Sequence, residues 1–208
     1  MRAVRGLRAT VRNTAGNRIY PESVYCVSSG RENRCELNVG SSSDTDERIE
    51  DRMSASPRLP ISAFVIARNE AERIGATLES LQGLVDEVIV VEWGSTDATV
   101  AVAERHGARV LHNRWEGYGP QKRFAETCCR NRWLLNLDAD EALSSELQSE
   151  LWSLFQAGEP TCDAYQLVIR AVCPHETRPR RWAYANSPIR LYDREHGRFS
   201  DSLVHDSV

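Results

Sequence analysis

From residue 60 onward the apolar positions of this chain fall into short runs, and the runs alternate with stretches of helical spacing. Ile61, Ala63, Phe64, Val65 and Ile66 are nearly continuous, the pattern of a strand covered on both faces. Asn69 is then suited to cap a helix on which Ile74, Leu78 and Leu81 recur, and Gly83 ends it. Residues 88–91 predict a second strand ending at Glu92. A turn follows in which Ser95 or Thr96 caps a helix carrying Val100, Ala101 and Ala103, closed near Gly107. Residues 109–112 predict a third strand. A loop rich in Gly and Pro leads to a helix opened by Pro120 and running through Phe124 to Cys128. Residues 133–140 read as a fourth strand. Ser145 and Gln148 form a candidate capping box for a helix to Phe155, and residues 164–172 predict a further strand. Strands alternating with helices predict an α/β fold around a parallel sheet with right-handed crossovers.

The first 57 residues do not share this pattern. Arg2, Arg5, Arg8, Arg12 and Arg18 come with no acid among the first 20 residues, and a serine-rich stretch and an acidic run follow. Weak periodicity and scattered apolar residues predict no packed core there. The segment reads either as an Arg-rich transit peptide or as an over-extended start, with translation beginning at Met53. The domain is therefore placed at residues 58–208. A net charge of −4 and a pI near 5.8 argue against nucleic acid as a partner. No apolar run approaches the roughly 20 residues of a membrane-spanning helix. Six cysteines without paired spacing predict reduced thiols in a cytosol rather than a zinc site.

The chemistry begins where the fourth strand gives out, at Asp138-Ala139-Asp140-Glu141. In an extended chain alternate residues point the same way, so Asp138 and Asp140 share one side of the strand mouth. Two hard oxygen donors suit Mg²⁺ or Mn²⁺, which commonly takes phosphate oxygens as further ligands. The alternative is a polar strand end leading into a helix, where acids are favoured in any case. Ligands of open α/β sheets lie beyond the carboxyl ends of the strands. The other ends carry Asn69 and Glu70, Glu92 with Asp97, and residues 115–122. The acids can accept hydrogen bonds from ribose hydroxyls and a base edge. Lys122 can approach a phosphate as a point charge. Each has a structural alternative: a helix start for Glu70, a cap for Asp97, a solvated side chain for Lys122. No G-x-G-x-x-G follows the first strand and no Walker A sequence is present, which argues against a nicotinamide dinucleotide site and a P-loop. A nucleotidyltransferase would need a glycine-rich basic loop where Arg68-Asn69-Glu70 stands.

The run from Ile61 to Glu70, then Val90-Val91-Glu92-Trp93-Gly94-Ser95-Thr96-Asp97, then Leu137-Asp138-Ala139-Asp140-Glu141 resembles glycosyltransferase family 2. The segment from Trp115 to Ala125, and Gly197-Arg198-Phe199 followed by Val204-His205-Asp206, resemble its lipopolysaccharide-core β-glucosyltransferase branch. The resemblance covers residues 61–208. It implies a GT-A fold, a Rossmann-like, mostly parallel sheet flanked by helices, with the C-terminal part incomplete. It also implies a nucleotide-sugar donor such as a UDP-hexose, with Glu70, Glu92 and Asp97 at the nucleoside and Asp138 and Asp140 on donor and metal. The family usually has Asp where Glu92 stands and a small residue where Trp93 stands; the extra methylene is expected to push the carboxylate into the nucleoside pocket. The reaction implied is inverting transfer to a saccharide or glycolipid acceptor at the cytoplasmic side of a membrane. Its base is Asp206, with His205 beside it, or Asp201, or less well Asp193. Arg178, Arg180, Arg181 and Arg190 read either as a solvated face or as a contact with an anionic glycolipid. The rival expectation is a truncated, non-catalytic copy that at most binds nucleotide.

Overall fold

The longest apolar runs become the central strands of a sheet. The structure, a computed structural model, describes residues 58–156, 158–171, 185–203 and 208, together with the backbone of 24–27. In chain order the elements are strand β1 (Val24–Val27), β2 (Leu59–Ala67), helix α1 (Ile74–Leu81), β3 (Val85–Glu92), α2 (Thr99–Arg105), β4 (Arg109–His112) and α3 (Tyr118–Cys128). Then follow β5 (Trp133–Asp138), α4 (Ser145–Gln156), β6 (Ala164–Leu167), β7 (Ile169–Arg170), β8 (Ala185–Asn186) and β9 (Ile189–Asp193). Seven strands make one sheet in the order β1-β6-β9-β5-β2-β3-β4, while β7 and β8 pair separately. β4, β3, β2 and β5 are mutually parallel, as the alternation of strands and helices predicts. β9 and β6 extend that block antiparallel, and β1 adds an edge strand within the 1–57 segment for which no packed structure was expected.

The continuous apolar run of β2 has its cause in the layers on either side. Ile61, Ala63, Val65 and Ala67 face a core completed by Ile74, Leu78 and Leu81 of α1, Ala103 of α2, and Leu147 and Leu151 of α4. Phe64 and Ile66 point the other way, into a cluster with Ala125 of α3, Leu134, Tyr192 and Phe199. Each fully buried Leu, Ile or Phe contributes roughly 1.5–3 kcal/mol, so a helix that covers one face is held by packing more than by its own propensity.

The helix starts differ from expectation. Asn69 does not cap α1: a turn over 70–73 intervenes, the helix begins after Arg73, and Asn69 takes a left-handed φ of 55° that asparagine tolerates. Neither Ser95 nor Thr96 caps α2. Asp97 does that work, its Oδ1 accepting from the Thr99 amide at 2.9 Å. Before α4 the cap is Ser144, whose Oγ accepts from Leu147 N at 3.2 Å, while the Gln148 side chain donates to Ser80 O. Gly83 ends α1 as expected, with φ of 72°. The strand expected over 164–172 breaks into β6 and β7. Cys162 is disulfide-bonded, against the expected free thiols, while Cys128 and Cys129 are free.

Behind α3 lies a buried carboxylate. Glu126 Oε1 accepts from the Tyr192 hydroxyl at 2.5 Å and from the Phe199 amide at 2.9 Å. Burial pushes its pKa above the ordinary 4.5, although both donors favour the charged form. The folded protein therefore keeps this proton through a window above pH 4.5 in which the unfolded chain has lost it, and stability falls as pH rises through that window. Glu126→Gln retains an acceptor for both donors and removes the charge. Its stability relative to the parent increases from acid to neutral pH, measured by urea unfolding across that range. A difference that stays constant, or shrinks, would show that burial does not govern this group.

Candidate functional site

From β2 the chain passes through α1 to β3 and through α2 to β4, then returns by α3 to place β5 on the other side of β2. Strand order therefore reverses between β2 and β5, the position at which a crevice opens in this class of sheet. Ile66 is paired with Asp138 and Ala67 with Glu92, so the three strand mouths are level. A cleft of about 470 Å³ lies there, lined by Ile66, Ala67, Arg68, Glu70, Trp93, Trp115, Tyr118, Asp138, Ala139 and Asp140.

Asp138 and Asp140 both face this cleft, but not by strand alternation. β5 ends at Asp138, and the chain turns through Ala139 and Asp140, closed by Glu141 N donating to Asp138 O at 3.0 Å. Thr77 on α1 pins the turn by donating to Ala139 O at 2.9 Å. The two carboxylates then differ. Asp138 Oδ1 accepts from Lys122 Nζ at 3.1 Å, and Oδ2 from Arg190 Nη2 at 2.6 Å. Burial alone would raise its pKa, but the Arg190 guanidinium and then the Lys122 ammonium hold it well below the usual carboxylate range. Arg190 also donates to Asn136 Oδ1 at 2.7 Å and to Glu141 Oε1 at 2.5 Å. Glu141 is buried, and burial pushes its pKa up to about 7.

Among the described residues the ion-pair partner of Asp140 is a distant one, Arg73 Nη1 at 3.9 Å. Its pKa is raised, first by burial and next by the charge on Asp138. Glu70 is raised too, by burial, with Arg73 partly offsetting it and Asp140 adding to it. Glu70 Oε2 is 2.9 Å from Arg73 Nε, yet it is buried with no hydrogen bond of acceptable geometry. Two acids that carry charge at a cost, one with an unsatisfied oxygen, are the donor set that a hard cation relieves. Among the described residues no three His, Cys, Asp or Glu side chains converge as a complete metal site. The residues thus fit a cation that takes one or two carboxylates and draws its other oxygens from a ligand and water, as Mg²⁺ commonly does.

The other expected residues divide. Asn69 Oδ1 accepts from Thr96 N at 2.8 Å, and Glu70 N donates to Thr99 Oγ1 at 2.7 Å. Asp97 Oδ2 accepts from Ala71 N at 3.1 Å, and its pKa is lowered chiefly by the Thr99 hydroxyl. These contacts lace the β2–α1 and β3–α2 loops together, and neither Asn69 nor Asp97 lines the cleft. Glu92 does not extend into the pocket. Its carboxylate folds back: Oε2 accepts from Gly94 N and Ser95 N at 2.8 Å each, and Oε1 is 2.6 Å from His112 Nδ1. The extra methylene supplies the reach for this loop-closing geometry. Lys122 is not a free point charge near phosphate; it is 1% exposed and bound to Asn136 and Asp138 behind the cleft wall.

Of the candidate bases, Asp206 and His205 lie outside the described residues. Asp201 is exposed, paired with Arg123 Nη1 at 2.8 Å, and does not line the cleft. Asp193 is at the opposite end of the sheet, beside Trp133 in register, buried and held by Arg132 Nη2 at 2.6 Å; it cannot reach a ligand in the cleft. Arg178, Arg180 and Arg181 also lie outside the described residues. Arg190 is buried, which removes it from any membrane-facing cluster.

Two features were missed from the sequence. Arg190 reaches Asp138 only because β9 inserts antiparallel beside β5, and no local spacing signals that pairing. The second is an aromatic wall. Trp93 and Trp115 stack with centroids 4.3 Å apart and planes at 26°, and Tyr118 meets Trp115 edge-on at 5.0 Å. The available signal was a tryptophan directly after the end of β3, Trp93, and a second in the loop after β4, Trp115.

The model of glycosyl transferase family 2 matches residues 62–206. A Rickettsia bellii glycosyltransferase is 45% identical over 152 residues, which cover 71% of this chain and 52% of that protein. The lipopolysaccharide core biosynthesis glycosyltransferase LpsC of Rhizobium meliloti is 33% identical over 163 residues, covering 73% of this chain and 58% of that one. The chain thus spans about half the length of these relatives. Among solved structures, glucosyl-3-phosphoglycerate synthase of Mycobacterium tuberculosis, in complex with Mn²⁺, UDP and glucosyl-3-phosphoglycerate, aligns with 38% of this chain and 33% of its own at 30% identity and a TM-score of 0.35.

Proposed function

The chain belongs to glycosyl transferase family 2, and on that premise we propose that its cleft binds a nucleotide-sugar and transfers the sugar to a saccharide or glycolipid acceptor. The observation that carries the reading is the meeting of Glu70, Asp138 and Asp140 in one cleft at the β2–β5 reversal. The donor is a UDP-hexose such as UDP-glucose, and the likeness to LpsC supports an acceptor in lipopolysaccharide core or envelope polysaccharide. Such acceptors place the protein at the cytoplasmic face of a membrane. Among the described residues no helix is long and apolar enough to cross one.

In the transfer, an acceptor hydroxyl oxygen bonds to the anomeric carbon from the face opposite the leaving diphosphate. The bond from that carbon to the diphosphate oxygen breaks, and the configuration inverts. The hydroxyl proton passes to a carboxylate, a step worth roughly 10²–10⁴ in rate; Asp206 is assigned this role. Asp140 would hold Mg²⁺ or Mn²⁺, with Asp138 as a second oxygen donor only by yielding part of its contact with Lys122 or Arg190. The bound ion would stabilise charge on the leaving diphosphate. Arg68 brings a cation to the same cleft wall. Lys122 and Arg190 keep Asp138 ionised and held in the cleft wall before any ligand arrives. Turnover of UDP-glucose with a lipid-linked saccharide acceptor and Mn²⁺, followed by UDP release, tests this reading. Titration calorimetry that detects no binding of UDP with Mn²⁺ would defeat it. A second reading, nucleotide binding without transfer, draws on the inward-folded Glu92; UDP binding with no turnover on any such acceptor would favour it.

A further inference from the structure

We propose that the Trp93–Trp115–Tyr118 wall is the base platform of the cleft, so that this chain holds the donor's base by stacking rather than by a carboxylate on its edge. The inference rests on the nucleotide-sugar reading above. At the mouth of β3 the hydrogen-bonding candidates are already engaged: Glu92 by Gly94 N, Ser95 N and His112, and Asp97 by Thr99 and Ala71. What the same mouth offers to the cleft is aromatic surface. Trp93 is the inner slab, packed partly against the core that holds Phe64 and Ile89. Trp115 stacks on it, is 36% exposed, and touches Tyr118, which is 48% exposed. Exposed tryptophan and tyrosine in a cleft shared with three carboxylates are a binding surface rather than core. Position agrees with the assignment. Trp93 leaves β3, two strand spacings from β5, or roughly 10 Å. That gap leaves room for a ribose and a diphosphate between the stacking surface and Asp138. Every base has a π-face, so a platform of this kind binds with less regard for the identity of the base than an edge-reading carboxylate does.

The wall is anchored well enough for a substitution to be read. Tyr118 N donates to Leu203 O at 3.2 Å and Gly119 N to Ser202 O at 3.0 Å, contacts independent of the Trp115 side chain. The experiment compares Trp115→Ala and Trp115→Tyr with the parent chain, using UDP and inorganic pyrophosphate as probes, each with Mn²⁺, in calorimetry and in tryptophan fluorescence. Trp115→Ala weakens UDP by about 5- to 100-fold and leaves pyrophosphate within about twofold, as loss of one stacked base predicts. Trp115→Tyr recovers most of the UDP affinity, and UDP quenches the emission of the parent but not that of Trp115→Ala. Equal weakening of both probes, or UDP affinity unchanged in Trp115→Ala, overturns the platform while leaving nucleotide binding in place. A parent chain that binds neither probe overturns both readings. Competition by methyl glucoside but not by nucleotide would reassign the wall to a saccharide and also overturn the inference.

Discussion

Asp140→Asn lowers sugar transfer by at least about 10²–10³-fold while leaving the melting temperature unchanged or slightly raised. The two halves of that result have one cause. Asp140 bears its charge at a cost, raised in pKa by burial and by Asp138, with Arg73 at 3.9 Å and the more remote Arg190 offsetting this only in part. Folding gains nothing from the charge, so an isosteric amide does not weaken the fold. On the proposed reading, transfer loses the carboxylate that would hold the cation against the leaving diphosphate, a charge stabilisation worth several kcal/mol. Asp138→Asn behaves differently: it strips the carboxylate from between Lys122 and Arg190, and both activity and stability fall. Steady-state turnover and thermal unfolding of the two variants check the contrast. Equal loss of stability in both would show that the two carboxylates do not differ as their partners indicate.

Arg190→Ala is the most destabilising single change expected in the described part of the chain. The guanidinium lies between Asp138, Glu141 and Asn136, at 2.5–2.7 Å for its three closest contacts. Removing it leaves Asp138 with Lys122 alone and takes from the buried Glu141 its closest counter-charge. Breaking a buried ion pair in this one-sided way costs about 3–5 kcal/mol, or roughly 6–20 °C in Tm for a domain of this size. Arg190→Lys recovers only part, because one ammonium cannot reproduce the planar fork that meets both carboxylates. Urea unfolding of the two variants measures this; a loss under about 1 kcal/mol for Arg190→Ala would mean that the cluster contributes little to the fold.

How much of this could be read from the chain follows from the range of each interaction. β2, β3 and β5 are legible because strands buried on both faces are mostly apolar, as Ile61 to Ala67 and Trp133 to Leu137 are apart from Ser62 and Asn136. The crevice between β2 and β5 follows from strand order, and with it the meeting of Glu70, Asp138 and Asp140. Legibility stops where a side chain has two chemically equivalent uses. Glu92 and Asp97 are acids at strand mouths, which suits a ribose, but backbone amides two residues onward are nearer partners and take them. Lys122 was expected to reach a phosphate, but its helix turns it inward onto Asn136 and Asp138. Arg190 and Tyr192 carry no local signal, because β9 is a short strand whose place in the sheet is set by pairing with β6 on one side and β5 on the other, neither adjacent to it in the chain.

The central claim is that a divalent cation and a nucleoside diphosphate share the cleft at the β2–β5 reversal. Crystals soaked with UDP and MnCl₂ test it directly through an anomalous difference map. The account predicts one manganese peak about 2.1 Å from an Asp140 oxygen, bridged to the diphosphate. A manganese or UDP molecule ordered elsewhere on the protein, with no contact to Asp140, would contradict it.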